Sequence, residues 1–258
     1  MPMNCLYTFF ILLFFSFPVV SAQEIRLTET ARLEQAYADS VTSEGLLSFN
    51  ELGIESGYVL YRAQVEVTQT EPVLALENVR DYAAVYLDDR WQGAVTGSDK
   101  KQPLNVAPGK YTLSLYAENI GRITYGPEIT DNSKGLFGSV LLDGKEVQNF
   151  TIVPLRIQAC DVKSLLFKNG EAAGIPAFHR GYFQLEAPRD SYLDVTGWEM
   201  GEVWINGIFV GSYWGEEQLR SLPVPAGILL KGKNELVVFD LKSPPGETMR
   251  LCDTPVFN

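Results

Sequence analysis

Large aromatic side chains crowd one stretch of this sequence. Trp198, Trp204, Tyr213 and Trp214 lie between Leu193 and Trp214, close to Glu199, Asn206 and Glu216. A sugar ring is apolar on its face and hydroxylated at its edge, so a sugar site combines an aromatic platform with carboxylate, amide or guanidinium groups. The same mixture recurs upstream at Asn119, Arg122 and Tyr125. Residue type and clustering single out Trp198, Tyr213, Trp214, Glu216, Asn119, Arg122 and Tyr125 as candidates for carbohydrate binding. Packing competes for several of them. Trp204 alternates with apolar neighbours, so one face of its strand turns inward, and Trp198 also suits a core. Tyr213 and Trp214 fall at a strand end, where aromatics form rims. Arg122 can equally serve buried carbonyls of the glycine-containing segment around it.

Hydrolytic chemistry is harder to place. A glycosidase needs two carboxyl groups at a set separation. Asp88, Asp89, Glu118, Asp131, Asp194, Glu199, Glu202, Glu216 and Glu217 are all available, and the sequence pairs none of them. Asp88-Asp89 reads first as a turn, and Glu216-Glu217 as a solvated loop. His179, the single histidine, precedes Arg180 at a strand start with no nucleophile beside it. Serine-triad, phosphate-loop and dinucleotide motifs are absent, as is any metal-ligand spacing. No catalytic residue, cofactor or metal is expected. The formal charge of −11, from 32 acidic and 21 basic residues, disfavours nucleic acid as a partner.

The aromatic stretch is organised by a turn. Val203-Trp204-Ile205 enters Asn206-Gly207 and Ile208-Phe209-Val210 leaves it, a strong hairpin signal because both turn residues accept positive φ. A copy lies upstream, with Val85-Tyr86-Leu87-Asp88-Asp89-Arg90-Trp91-Gln92-Gly93 matching Val203 to Gly211 at an offset of 118 residues (Val203 against Val85). The offset reaches back to Tyr61-Arg62 against His179-Arg180. It reaches forward to Leu104, Val106 and Gly109 against Leu222, Val224 and Gly227. Two related β units in tandem follow from this, and not a solenoid of many short repeats. Further strands are expected at 58–67, 73–79, 111–117, 148–157, 182–185, 191–195 and 235–241. Many short strands with Gly, Pro and Asn turns indicate an all-β chain of two tandem jelly-roll or β-sandwich domains. Ile25 to Tyr37 stays open among linker, short helix and leading strand.

Met1 to Ala22 reads as an export signal, with an apolar core at Phe9 to Phe15 and a small-residue cleavage pattern at Val20-Ser21-Ala22. No later segment could span a bilayer, and a periplasmic or extracellular location is expected. Cys160 and Cys252 remain after signal removal. Export permits oxidation, so a bridge between them is one expectation and two separate thiols the other. Asn149-Phe150-Thr151 fits a glycosylation acceptor in a host that glycosylates.

Several runs resemble the C-terminal β domains of family 35 glycoside hydrolases, the β-galactosidases. They are LLSFNELG at 46–53, GYVLYR at 57–62, AENIGRITYG at 117–126, DNSKGLFGSVLLDG at 131–144, PAFHRGYF at 176–183, YLDVTGWEMGEVWINGIFVGSYW at 192–214 and LPVPAGILLKGKNELVVFDL at 222–241. With the signal at 1–22 and a lead-in at 23–45, the resemblance implies a first β-sandwich at 46–160 and a second, galactose-binding-like one at 161–258. It also implies that the family's catalytic glutamates belong on an N-terminal (β/α)8 barrel of roughly three hundred residues. The residues between Gln23 and Leu46 are too few for one, and no position here matches a catalytic glutamate. His179 stands where the family usually shows Tyr or Phe. The segment Asn119 to Gly126 corresponds to a loop beside the barrel, which implies interdomain support. The expectation is an exported, non-catalytic chain that binds galactose-containing glycans or assists a glycosidase. The alternatives are a non-catalytic subunit pairing with a separate glycosidase barrel chain, and a structural, self-associating protein without ligand.

Overall fold

The computed structural model describes residues 22–119, 133–169, 176–215, 218–242 and 248–258. Apart from three 3₁₀ turns the described chain is β. In chain order the first strands are β1 (Gln23–Arg32), β2 (Val41–Ser43), β3 (Gly57–Val67), β4 (Val73–Arg80), β5 (Tyr82–Leu87), β6 (Arg90–Thr96), β7 (Lys101–Pro103), β8 (Gly109–Asn119), β9 (Gly135–Leu142), β10 (Lys145–Glu146) and β11 (Phe150–Leu155). They are followed by β12 (Lys168–Asn169), β13 (Ala177–Leu185), β14 (Ser191–Asp194), β15 (Met200–Ile205), β16 (Ile208–Trp214), β17 (Ser221–Val224), β18 (Gly232–Asp240) and β19 (Thr248–Cys252). No helix among the described residues is long and apolar enough to cross a membrane.

Side-chain alternation decides how these strands stack. In β3, Val59, Tyr61, Ala63, Val65 and Val67 enter one core, whereas Tyr58 and Leu60 enter another. In β18, Leu236 and Val238 face one core, and Val237 and Phe239 face the other. Strands that are apolar on both faces belong inside a stack of sheets. The four-stranded sheet β10-β9-β4-β7 accordingly covers one face of the six-stranded sheet β2-β11-β3-β8-β5-β6. The other face of that sheet packs on β15, β18 and β13 of the second unit. This inter-unit seam holds Tyr58, Tyr86, Tyr116, Phe178, Trp204 and Phe239, all buried. Each ring of this size stabilises the seam by roughly 1.5–3 kcal/mol through removal from water. The two units are therefore locked by an apolar seam and are not joined by a tether.

Strand β1 closes the second sandwich. Its Gln23–Arg26 half pairs with β19, and its Leu27–Arg32 half pairs with β13. The path β16-β15-β18-β13-β1-β19-β14-β17 thereby turns over on itself, with Ile25, Leu193, Trp198, Val203, Leu236 and Met249 packed between its two halves. Of the segment read as a lead-in, Gln23–Arg32 is thus a strand of the C-terminal unit, and Val41–Ser43 lies at the edge of the first. Residues 1–21 of the expected signal lie outside the described residues.

The tandem repeat extends to the hydrogen-bond register. The first unit orders β11-β3-β8-β5-β6 and the second β1-β13-β18-β15-β16. The β5–β6 hairpin (Tyr82–Leu87, Arg90–Thr96) and the β15–β16 hairpin (Met200–Ile205, Ile208–Trp214) superpose in number at the 118 offset, and both carry a bulge at the same place, between Val85 and Tyr86 and between Val203 and Trp204. Asp88 and Asp89 have φ 44° and 62°, and Asn206 and Gly207 have φ 53° and 79°, as a two-residue turn of this type requires. The Asp88 carboxylate accepts from Thr112 N at 2.7 Å, and the Asn206 amide oxygen accepts from Glu235 N at 3.0 Å. Each turn residue thus clamps the neighbouring strand of its own unit. Beyond the hairpin the spacing lengthens: Val67 pairs with Gly109, but Leu185 pairs with Gly232 and not with Gly227. Residues inserted around the 3₁₀ turn Ala226–Ile228 account for the shift.

Of the two alternatives for Cys160 and Cys252, the structure has the separate thiols: both cysteines are free. Cys160 lies half-buried against the inter-unit seam. Cys252 ends β19, opposite Tyr192 of β14, in the far half of the second sandwich. The two thiols belong to different packing environments, which sequence spacing could not reveal.

Candidate functional site

A cavity of about 370 Å³ opens where the end of β8 meets β15 and β16, between the two units. Its floor is buried and ionisable: Tyr58 from β3, Glu118 from β8 and Glu202 from β15. Its mouth carries the exposed polar residues Ser56, Gln158 and Ser212, and half-buried Trp214 forms a wall. Asn119 and Tyr213 complete the lining.

Alternation on the two inner sheets creates the floor. Glu118 and Glu202 lie at strand positions that point into the inter-unit seam, where apolar neighbours would otherwise continue. Glu202 is served fully: Tyr58 Oη and Gln158 Nε2 donate to its Oε1 at 3.2 and 3.0 Å, and Ser212 Oγ donates to its Oε2 at 3.0 Å. Glu118 is not. It is 7 % exposed, and its Oε2 has no hydrogen-bond partner. Tyr58 brings one hydroxyl proton to a place where two carboxyls compete for it.

These contacts set the ionisation. Burial raises the Glu118 carboxyl to about 7; the Tyr58 hydroxyl opposes that rise, and the nearby Glu202 and Asp81 add to it. Burial also raises Glu202, against the pull of its three donors. Behind the cavity, Tyr213 Oη donates to Asp240 Oδ2 at 2.8 Å, and burial brings Asp240 up to about 8. Burial alone pushes His179 down to about 4.

A pH dependence of stability follows. A carboxyl whose folded pKa exceeds its unfolded value binds more protons when folded, so stability falls as pH rises between the two values. For Glu118 and Asp240 that window runs from about 4 up to about 7 and 8. His179 acts oppositely, losing stability as pH falls from 6.5 towards 4. Above pH 6.5 the carboxyls dominate. The melting temperature is expected to drop between pH 6.5 and 8, and Glu118→Gln should flatten that drop in a thermal scan. A melting temperature that rises over this range would contradict the assignment.

The aromatic candidates separate by burial. Trp198, at 2 % exposure, belongs to the core of the second sandwich: its Nε1 donates to Thr248 O at 3.1 Å, and its ring lies 6.0 Å from His179 in an edge arrangement. It contributes only an edge to a smaller cavity of about 250 Å³ on the other side of Trp214. Tyr213 is also buried, with its hydroxyl committed to Asp240. Trp204 packs in the seam beside Phe178. Trp214 is the aromatic that borders both cavities with accessible surface. Asn119 donates through Nδ2 to Glu55 O at 2.8 Å while lining the larger cavity. Arg122, Tyr125 and Glu216 lie outside the described residues. Asn119, Tyr213 and Trp214 thus converge on one place. Glu118 and Glu202 join them, both visible as acids in the sequence but unpaired there, because they sit on strands of different units. The only advance sign was a charged residue inside each apolar alternation.

Chemically the arrangement is a hydrogen-bonding pocket with one aromatic wall. Both oxygens of Glu202 already accept protein donors, whereas Oε2 of Glu118 keeps capacity for an incoming group. Among the described residues no group of three His, Cys, Asp or Glu side chains is placed to hold a metal ion.

Comparison with known proteins defines the class of these domains. Residues 47–156 match the first all-beta domain of beta-galactosidase, and residues 176–234 match the beta-galactosidase galactose-binding domain. The chain is therefore built from the jelly-roll and galactose-binding-like β domains of family 35 β-galactosidases, and its described residues contain no (β/α)8 barrel. Similar proteins include a beta-galactosidase of Xanthomonas manihotis, 34% identical over 190 residues, covering 73% of this chain and 31% of the relative. Beta-galactosidase-1-like protein 2 of Homo sapiens is 29% identical over 213 residues (79% and 32%). Beta-galactosidase 17 of Arabidopsis thaliana is 30% identical over 239 residues (80% and 34%). The chain spans about a third of the length of these relatives. Its domains tie it to carbohydrate chemistry.

Proposed function

We propose that this is an exported, non-catalytic carbohydrate-binding or glycosidase-accessory protein that takes galactose-containing glycans in the cavity between its units. The observation carrying this reading is the convergence of Trp214, Asn119, Glu202 and Glu118 on one cavity of about 370 Å³, a volume within the range of small-ligand sites. Trp214 offers a face for the apolar side of a pyranose, and the buried polar groups answer its hydroxyls. The non-catalytic part rests on the sequence, in which no position matches a catalytic glutamate of the family.

A glycan array followed by calorimetric titration tests the reading. Trp214→Ala is expected to weaken binding at least about tenfold, the order of one lost aromatic–sugar contact, with the fold unchanged. Binding by no glycan at all would defeat the proposal. Release of nitrophenol from a nitrophenyl galactoside by the rigorously purified chain would defeat its non-catalytic part.

A second reading makes the same domains the non-catalytic part of a β-galactosidase assembly with a separate barrel chain. The matched domains are beta-galactosidase domains, which is what favours this reading. Co-purification of a barrel chain with this one from its native source would support it over the independent binder.

A further inference from the structure

The larger cavity holds two carboxyl groups and no basic side chain in its described lining. Among the described residues, the titratable groups that act on Glu118 are Tyr58, Glu202 and Asp81, none of them a cation. Tyr58 stands on β3, Glu202 on β15 and Asp81 beside β5. Lys134 is paired with Asp81 at 3.1 Å. Glu202 finds three protein donors, but Glu118 finds none for its Oε2. A buried carboxyl in that position is costly unless something brings it a donor, a positive charge or both. The terminal torsion of a glutamate is soft, so either oxygen can turn to the cavity.

From the cavity, its aromatic wall and the unpartnered Oε2 of Glu118, we infer that the site selects a pyranose bearing a free, protonated amine, a hexosamine, over its neutral counterparts. The ammonium supplies the donors and the charge that Glu118 lacks. The ring hydroxyls fall to Ser56, Gln158 and Asn119, and the apolar ring face to Trp214. This rests on the carbohydrate reading of the cavity and narrows it to a ligand class. It also predicts proton linkage. Near pH 7 the Glu118 carboxyl is partly protonated, so ammonium binding drives off about half a proton per ligand, whereas a neutral sugar does not.

The test is calorimetric titration of the full chain at pH 7 with galactosamine, galactose and N-acetylgalactosamine, in two buffers of different ionisation enthalpy. Galactosamine is expected to bind about tenfold tighter than either neutral sugar, as for one added charge-assisted hydrogen bond. Its apparent enthalpy should depend on buffer, and that of galactose should not. In Glu118→Gln the three affinities should converge. The wild-type buffer dependence needs no variant, so a misfolded substitution cannot obscure the answer. Equal affinities, absence of proton release, or a preference that survives in Glu118→Gln would overturn the inference while leaving a sugar site in place. Failure of all three sugars to bind would remove both the inference and the reading beneath it.

Discussion

Replacing Gly201 with alanine is expected to lower the stability of the chain by about 3 kcal/mol. A methyl built on Gly201 would overlap the Phe239 carbonyl oxygen of the adjoining strand β18 and come within 2.8 Å of the Tyr213 ring carbon Cζ. The first obstacle is backbone inside a sheet and cannot step aside. The second is a buried ring whose hydroxyl is bonded to Asp240. Overpacking of this kind costs roughly 1–3 kcal/mol, and displacing Tyr213 adds the loss of a buried hydrogen bond, roughly 1–3 kcal/mol more. The internal repeat explains why glycine stands there. Gly201 sits opposite Tyr213, whereas the matching pair in the first unit is Ala83 opposite Val95. A larger partner on one strand is accommodated by a smaller residue on the other. Tyr213→Phe removes the hydrogen bond without the overlap and should cost the smaller amount, roughly 1–3 kcal/mol. Urea denaturation of the three proteins checks the order. A Gly201→Ala change within about 0.5 kcal/mol of wild type would mean that the sheet yields where it is drawn as rigid.

Trp204→Ala is expected to cost about 4 kcal/mol, as for other buried large-to-alanine changes. Trp204 is 2 % exposed and sits between the units, with Phe178 at 6.1 Å and Phe209 at 5.7 Å between ring centroids. Its loss leaves a cavity in the seam shared by both units. Unfolding of the variant should therefore still be one transition, displaced to lower denaturant, because the seam holds the two sandwiches together. A loss below about 1 kcal/mol would place the ring at a surface, as a sugar platform would require. Trp214→Ala, in contrast, should change binding far more than stability.

Much of this architecture is legible from residues alone. The two hairpins are written in Asp88-Asp89 and Asn206-Gly207, because turn chemistry and strand alternation are local. The 118-residue spacing then carries register, bulge and strand order from one unit to the other. Less local features are not legible. Gln23–Arg32 shows no clean alternation, since its halves serve two different edges of a folded-over sheet. Pairing of Cys160 with Cys252 depended on distance, which export cannot supply. Trp198 and Tyr213 stand out in the sequence by residue type and clustering, which do not tell a platform from a core. Trp198 makes up part of the second core, and Tyr213 serves Asp240 beneath the cavity. The Glu118–Tyr58–Glu202 cluster was hidden for the opposite reason. Its members look ordinary singly, and only packing of one unit on the other brings them together.

The most direct test is a crystal of the chain soaked with galactose. One pyranose is expected in the cavity between the units, its apolar face on Trp214 and its hydroxyls directed at the floor formed by Tyr58, Glu118 and Glu202. A sugar bound only elsewhere on the second sandwich, with this cavity left to water, would contradict it.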